Sequence, residues 1–377
     1  RTNGGDAMTE VLFGSATIVI LVVGLAIGLV MLRAKLVPDV ALDVSVNGML
    51  NLSAERGDAL LSVLHNGGVL IPAACGGSGT CGLCRVTVTG DGAGEPQATE
   101  RSILSPRDRR AHVRLACQTR VRGDCRVTVP DDILSAGGGF LCKVASVRML
   151  APLIREIVVD LPADHSSEFK AGDFMQITAP PYEMDFRTVD VSPDFAEAWE
   201  IAGWQSLKSR SEVDVTRAYS LASRPEDVGQ AVFNIRLAVP PPGREQEVPP
   251  GIVSSWLFSI NPGEDIMLSG PFGEFHAQQT DREMIFVGGG VGMAPLRAMI
   301  HQELARGSIR RIRYFYGARS RSDLFYSGEF EALAAANKGF SWTPALSEPA
   351  PGDRWTGAAG FIHEILRAEL ASHPAPE

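Results

Sequence analysis

The sequence predicts a multidomain chain: one N-terminal transmembrane helix, a small α+β domain, an antiparallel β-barrel and a final α/β domain on a parallel sheet. Three observations carry this. An uncharged apolar run occupies residues 11–32, short β-rich runs at close spacing fill the middle of the chain, and strands alternate with helices from residue 282. The 377 residues allow two or three soluble domains.

Residues 1–7 read as an upstream scar before a start at Met8. At the helical rise the apolar run spans about 33 Å, against roughly 30 Å of bilayer hydrocarbon. It is longer than a signal-peptide core and lacks a basic segment before it. Arg33 and Lys35 follow it, whereas Asp6 and Glu10 precede it. The positive-inside rule then puts the N-terminus outside and everything after residue 33 in the cytoplasm. The net charge of −9 and the lack of a long basic run argue against nucleic acid as a partner. The densest basic patch, Arg107, Arg109 and Arg110, encloses Asp108 and reads as a solvated face.

The α+β domain is expected over 38–132. Strands are predicted at 40–46, 50–53, 85–89 and 126–129, a helix at 58–65, and a glycine linker at 137–139. Between helix and third strand lies the loop Cys75-Gly76-Gly77-Ser78-Gly79-Thr80-Cys81-Gly82-Leu83-Cys84, with Cys117 following at a distance. Four soft thiolates suit an iron–sulfur cluster, and a [2Fe–2S] centre needs four. The glycines let backbone amides turn toward the sulfurs. A zinc site would more often offer two paired ligand knuckles than a trio and one distant cysteine. The spacing therefore makes Cys75, Cys81, Cys84 and Cys117 candidate ligands in a ferredoxin-like domain. Cys125 and Cys142 read as buried small hydrophobes.

The barrel is expected over 140–278, from strands at 143–149, 154–161, 174–179, 217–222 and 232–239, interrupted by a polar segment at 182–216. Arg217-Ala218-Tyr219-Ser220-Leu221 stands out. An arginine can clamp a phosphate. An aromatic two positions on shares its strand face and can stack on a flavin ring, and the next serine can bond near the reactive nitrogen. Tyr219 and Ser220 are thus the catalytic candidates. Read alone, the stretch is an ordinary strand. Gly251, Ser254 and Ser255 open an apolar helix, which suits a pyrophosphate and equally a plain N-cap. The conjunction of the two, closed by Gly270-Pro271-Phe272-Gly273, favours FAD.

The α/β domain is expected over 281–377, with strands at 284–287, 313–316 and 340–346 and helices at 295–305, 328–336 and 361–370. Gly288, Gly289, Gly290 and Gly292, with Met293 and Pro295, form a strand-to-helix turn suited to the phosphates of a dinucleotide such as NADH. The turn is not a strict G-x-G-x-x-G, and a ligand-free tight turn is the competing reading.

Together these residues resemble the F-subunit family of the sodium-translocating NADH:quinone reductases. The resemblance runs from about residue 8 to the end. It rests on the x5 cysteine spacing, Arg217-Ala218-Tyr219-Ser220, Gly273-Glu274-Phe275, the glycine turn, Tyr316-Gly317-Ala318-Arg319-Ser320 and the 182–216 insertion. It implies a single-pass protein of the bacterial inner membrane with a periplasmic N-terminus. NADH would reduce FAD, electrons would pass singly to [2Fe–2S], and other membrane subunits would reduce ubiquinone and export sodium. In that family the chain continues with a strand, a Cys-Gly-Pro-Pro turn, a helix and a tail near the flavin. None has a counterpart here, so the resemblance implies an incomplete nicotinamide domain and slow NADH oxidation by this chain alone. The alternatives are an NADH-dependent reductase component of an oxygenase and an electron-transfer module unable to oxidise NADH.

Overall fold

The computed structural model describes residues 14–28, 31, 41–73, 75–130, 133, 139–163 and 169–372. Residues 14–28 are helical and their side chains exposed, including Ile18, Leu21 and Leu25. No helix among the described residues is long and apolar enough to cross a membrane. The expected span at 11–32 lies partly outside the described residues, as do Asp6, Glu10, Arg33, Lys35 and most of the 137–139 linker.

The rest divides into two compact units, one built on 41–67 and 85–129, the other on 68–84 and 139–372. The cysteine loop, with its flanking residues 68–74, groups with the second unit.

In the first unit, β1 (Leu42–Val46) and β2 (Leu50–Ala54) form an antiparallel hairpin. With β3 (Arg85–Thr89), β4 (Val113–Leu115) and β5 (Cys125–Thr128) they make one sheet, ordered β2-β1-β5-β3-β4. Among the described residues of this sheet, β1 and β5 alone pair in parallel. Leu42, Val44 and Val46 alternate inward, as the period of two dictates. The helix Leu60–Asn66 buries Leu60 and Leu64. Strand β4 and the helices Ala98–Ile103 and Pro106–Arg110 were not anticipated. The first opens with the Gln97 amide donating to the Glu100 carboxylate at 2.8 Å, and the second with a reciprocal cap between Ser105 and Asp108. The arginines of the second stay exposed, as expected of a solvated face.

The second unit holds a six-stranded antiparallel sheet. Its strands are β6 (Phe140–Ala151), β7 (Ile154–Asp160), β8 (Phe174–Ala179), β11 (Val215–Ser220), β12 (Gln230–Arg236) and β13 (Asp265–Phe272), ordered β11-β8-β13-β6-β7-β12. A bridge from Leu221 to Phe233 joins the two edge strands and closes the barrel. Strand β11 stops short of its expected end at 222 because the chain there crosses to β12. Strand β13 was missed: its glycine and proline read as a terminator.

The 182–216 insertion is more than a polar interruption. Strands β9 (Tyr182–Asp185) and β10 (Lys208–Ser211) pair antiparallel, and the helix Pro193–Ile201 lies between them. Phe186 and Trp199 are fully buried, and Trp199 Nε1 donates to the Pro152 carbonyl at 2.6 Å. A few large apolar side chains suffice to dock a segment whose average is polar.

The last sheet is all parallel, in the order β14 (Met284–Gly289), β15 (Ile312–Ala318), β16 (Phe340–Leu346), β17 (Ala358–Ala359). The helices Met293–Ala305, Ser327–Ala336 and Ile362–Ser372 alternate with it. The final helix follows the two-residue fourth strand, which the sequence did not signal, rather than β16 directly. The Gly360 amide, donating to the Leu346 carbonyl at 2.8 Å, ties that strand in.

The first unit hangs on one buried ion pair. Arg114 grips Glu100 through Nε and Nη2, both at 2.9 Å, and its Nη1 donates to the Gly94 carbonyl at 2.8 Å. Burial pushes the Glu100 carboxyl up, but Arg114 and the amides of Gln97 and Leu115 outweigh it and hold it below the usual range. A depressed carboxyl stabilises the fold above its unfolded value, and that contribution is lost as pH falls through the folded one. Arg114→Leu should therefore cost about 3–5 kcal/mol by leaving a charge buried alone. Urea unfolding monitored in this unit checks it. Glu100→Gln should flatten the loss of stability on acidification.

Candidate functional site

Two turns and one strand organise the second unit. The first turn is the cysteine loop. Cys75 and Cys81 are half-buried and Cys84 buried, and all six cysteines are free thiols. Burial pushes the Cys75 thiol up. Hydrogen bonds from the Ser78 side chain, the Cys81 and Thr80 amides and the Cys81 thiol overcome this and bring it down to about 5. Burial pushes Cys81 up. The loop thus favours a thiolate at Cys75 and opposes one at Cys81. Among the described residues no three His, Cys, Asp or Glu side chains are gathered as a metal site. Cys117 is buried in the first unit, beside the side chain of Gln118.

The strand is β11. Every residue in it is half-buried, unlike the mostly buried strands β8 and β12 beside it. Arg217 pairs with Ile177, Tyr219 with Met175 and Ser220 with Phe174. Arg217 Nη1 donates to the Thr216 carbonyl at 2.8 Å. Burial pushes the Tyr219 phenol well above its ordinary range, with the Arg217 charge opposing. Tyr219 therefore stays a neutral ring, able to stack and to donate.

The helix Ile252–Ser259 starts at Gly251, as expected, but its serines look inward. Ser254 Oγ donates to the Gly251 carbonyl at 3.1 Å and accepts from the Ala238 amide at 3.2 Å. Ser255 is fully buried near Tyr182. The serines hold the helix start in place, and the first-turn amides are what it offers an anion. Leu221 likewise is core: its side chain is buried and its amide donates to the Asp173 carbonyl. Its place in the barrel-closing bridge explains its position better than ligand contact does.

The second turn follows β14. Gly288 pairs with Tyr316 and Gly289 with Gly317 across the parallel sheet. Gly290 has a φ of 54°, which glycine adopts without strain, and its carbonyl accepts from Tyr316 Oη at 3.1 Å. Pro295 is half-buried in the helix's first turn, where a missing amide proton is tolerated. Met293 departs from expectation. It is fully buried, and Tyr314 Oη lies 3.1 Å from its sulfur, so it packs the sheet instead of lining the turn.

A cavity of about 640 Å³ opens at the carboxyl ends of these parallel strands, where open α/β sheets bind ligands. Gly289, Gly290, Gly317 and Arg319 form one wall, and Ile154, Arg236 and Pro240 of the barrel the other. Trp204 of the insertion also lines it. The cavity has the size of a cofactor site.

A buried network joins barrel and sheet. Arg297 binds Glu329 bidentately, at 2.7 and 2.8 Å, and its Nη1 donates to the Ala222 carbonyl at 2.7 Å. Its guanidinium stacks over the Tyr326 ring, 4.3 Å from the centroid. His301 Nε2 lies 2.8 Å from Glu329 Oε1. Burial pushes Glu329 up, but His301 and Arg297 hold it down to about 2. Tyr326 Oη donates to Glu156 and accepts from Asn234 Nδ2, both in the barrel. Sequence reasoning missed Arg297, Glu329, Tyr326, Arg236 and Trp204, because none sits in a local pattern that marks it.

The chain matches three domain families: the 2Fe-2S iron-sulfur cluster binding domain at 44–122, the oxidoreductase FAD-binding domain at 205–277 and the oxidoreductase NAD-binding domain at 286–377. It therefore carries binding domains for all three expected cofactors. Among solved structures it resembles an Amycolatopsis cytochrome P450 reductase, with a TM-score of 0.54, 25% identity and coverage of 89% of this chain and 88% of that one. A ferredoxin reductase in carbazole 1,9a-dioxygenase shares the fold at a TM-score of 0.50 and 22% identity, covering 88% and 86%. Two curated relatives are F subunits of the Na(+)-translocating NADH-quinone reductase by name. That of Methylococcus capsulatus is 40% identical over 98% of this chain and 91% of its own length. That of Pseudomonas paraeruginosa is 41% identical over 95% and 87%. At this identity and coverage, the chain belongs to the F-subunit family of the Na(+)-translocating NADH-quinone reductases.

Proposed function

We propose that this chain is the electron-input component of a membrane NADH:quinone reductase, taking hydride from NADH and handing on single electrons. The observation that carries this is the cavity in which the glycine turn faces the barrel; the strand bearing Arg217, Tyr219 and Ser220, half-buried throughout, belongs to that same barrel. In this reading Gly289 and Gly290 let the NADH phosphates approach the backbone, while Arg236 and Arg319 supply charge. Arg217 and the first-turn amides of the helix Ile252–Ser259 hold the FAD pyrophosphate. Tyr219 would stack on the flavin, and Ser220 would offer it a hydroxyl. The flavin, when bound, supplies the conversion of a two-electron donor into one-electron steps. Cys75, Cys81, Cys84 and Cys117 ligate the [2Fe–2S] cluster, with the Cys75 thiolate already favoured by its hydrogen bonds.

The finer topology belongs to the same reading. The apolar helical stretch at 14–28 anchors the chain in the bacterial inner membrane with its N-terminus periplasmic, and the cofactor domains face the cytoplasm. Partner subunits then carry electrons to ubiquinone and move sodium. The name shared by the relatives favours this over an oxygenase reductase or a module unable to oxidise NADH.

Two experiments test the reading. Anaerobic mixing of NADH with the chain carrying flavin and cluster should bleach the flavin and then raise the paramagnetic signal of a reduced [2Fe–2S] centre. Cys81→Ala should keep the bleaching and abolish the signal together with bound iron. Zinc in place of iron, or no bleaching, would sink it. For topology, protease added to spheroplasts should spare the cysteine-bearing domain, and cleavage there from the outer face would contradict the orientation.

A further inference from the structure

The cysteine loop and the strand bearing the flavin candidates meet at one side chain. A Cβ placed on Gly76 would lie 2.9 Å from Arg217 Nε, 3.1 Å from Cζ and 3.4 Å from Nη2. The guanidinium therefore lies against the backbone beside Cys75, and any side chain at 76 would push it away. Gly76 also has a φ of 63°, so the loop needs glycine there for its turn as well as for this approach. The contact is supported nearby: Gln176 Nε2, from the strand paired with β11, donates to the Leu70 carbonyl at 3.0 Å. The whole segment 68–84 groups with the barrel unit, not with the ferredoxin-like sheet.

We propose that Arg217 is a positioning residue shared by the two redox centres: it binds the flavin pyrophosphate and, through the same guanidinium, raises the reduction potential of the cluster held on the Cys75–Cys84 loop. This rests on the functional reading above. Reduction adds a negative charge to a cluster that thiolates already make anionic, so a fixed cation close by favours the reduced form. Arginine stays protonated, so the effect persists across the working pH range. The approach to the loop backbone excludes water from between charge and loop, which leaves the field less screened than at an open surface. A pyrophosphate on the other side of the same guanidinium would offset part of that field. Cluster potential and flavin occupancy are therefore linked, and linkage is reciprocal: a reduced cluster tightens the hold on Arg217 at the expense of the phosphate.

The test is a redox titration of the cluster's paramagnetic signal in the full chain, with flavin affinity measured alongside. Two flavin-free proteins are compared first, so that loss of FAD does not confound the result. Arg217→Met should lower the cluster midpoint relative to flavin-stripped wild type by about tenfold in the reduction equilibrium, or about 59 mV for one electron. Arg217→Lys should return the midpoint toward wild type while FAD binding stays weak, because a point charge remains but the bidentate fork does not. Equal midpoints in the Met variant and the wild type overturn the proposal. If the Met variant takes up no iron, the wild type alone decides: adding FAD should shift the cluster midpoint downward, and no shift overturns the coupling. A wild-type chain that assembles no cluster or no flavin refutes the functional reading instead, so the two failures are distinguishable.

Discussion

The buried guanidinium of Arg297 is the constraint on which the candidate site depends. It sits on the helix that follows the glycine turn, yet it reaches Ala222, two residues beyond Ser220 on the flavin strand. Its charge is nearly inaccessible to solvent, so the bidentate grip of Glu329 is what makes burial tolerable. Removing Glu329 would strand that charge in a low-dielectric interior, at a cost of about 3–5 kcal/mol. That exceeds what one neutral hydrogen bond contributes and is a large part of a typical domain's stability. The glycine turn and the flavin strand are thereby held in one register. Tyr326 extends the hold to Glu156 and Asn234, and it does so with a φ of 60°, a conformation kept only where the surroundings impose it.

Buried arginine recurs as the connector of separated segments. Arg155 sends Nη1 to the Phe258 carbonyl at 2.7 Å and Nη2 to the Asp190 carbonyl at 3.1 Å, and it lies over the Phe258 ring. It satisfies a carbonyl in the last turn of the helix Ile252–Ser259 while tying in the insertion. Arg114 does the same in the first unit, joining Glu100 to the carbonyl of Gly94. A guanidinium carries five donors in a planar fork, so one side chain can serve several acceptors that no local ladder reaches. Lysine, with a compact and strongly hydrated charge, would not do this dry.

These connectors explain why the site can be assembled from distant chain segments. The cysteine loop, β11 and the turn after β14 are far apart in sequence. Hydride transfer demands reacting atoms within about 3–3.5 Å, so their relative placement cannot be left to loose packing. The barrel supplies rigidity through its closure at Leu221 and Phe233, and the parallel sheet supplies an open crevice at its carboxyl edge.

The local sequence by itself determined the chemistry-bearing turns and the order of the domains. Three cysteines among glycines, an Arg-x-Tyr-Ser strand and a glycine run after an apolar strand are short-range patterns, and each needs a particular backbone shape that its own residues dictate. Elements with strong periodicity, such as β7, β8 and the helix Met293–Ala305, were legible for the same reason. Weakly periodic elements were not: β4 has three residues, β17 two, and β13 carries a glycine and a proline that read as its end. Tertiary structure decided which candidate side chains face the site. Met293, Leu221 and Ser254 stand within the motifs, yet packing turns Met293 and Leu221 into the core and commits the Ser254 hydroxyl to the backbone. It also decided that the cysteine loop lies against Arg217, and that Arg297, Trp204 and Arg236 belong near the site. Those are contacts across more than 70 residues or between elements, set by burial and by the need to partner every desolvated charge, and no local pattern encodes them.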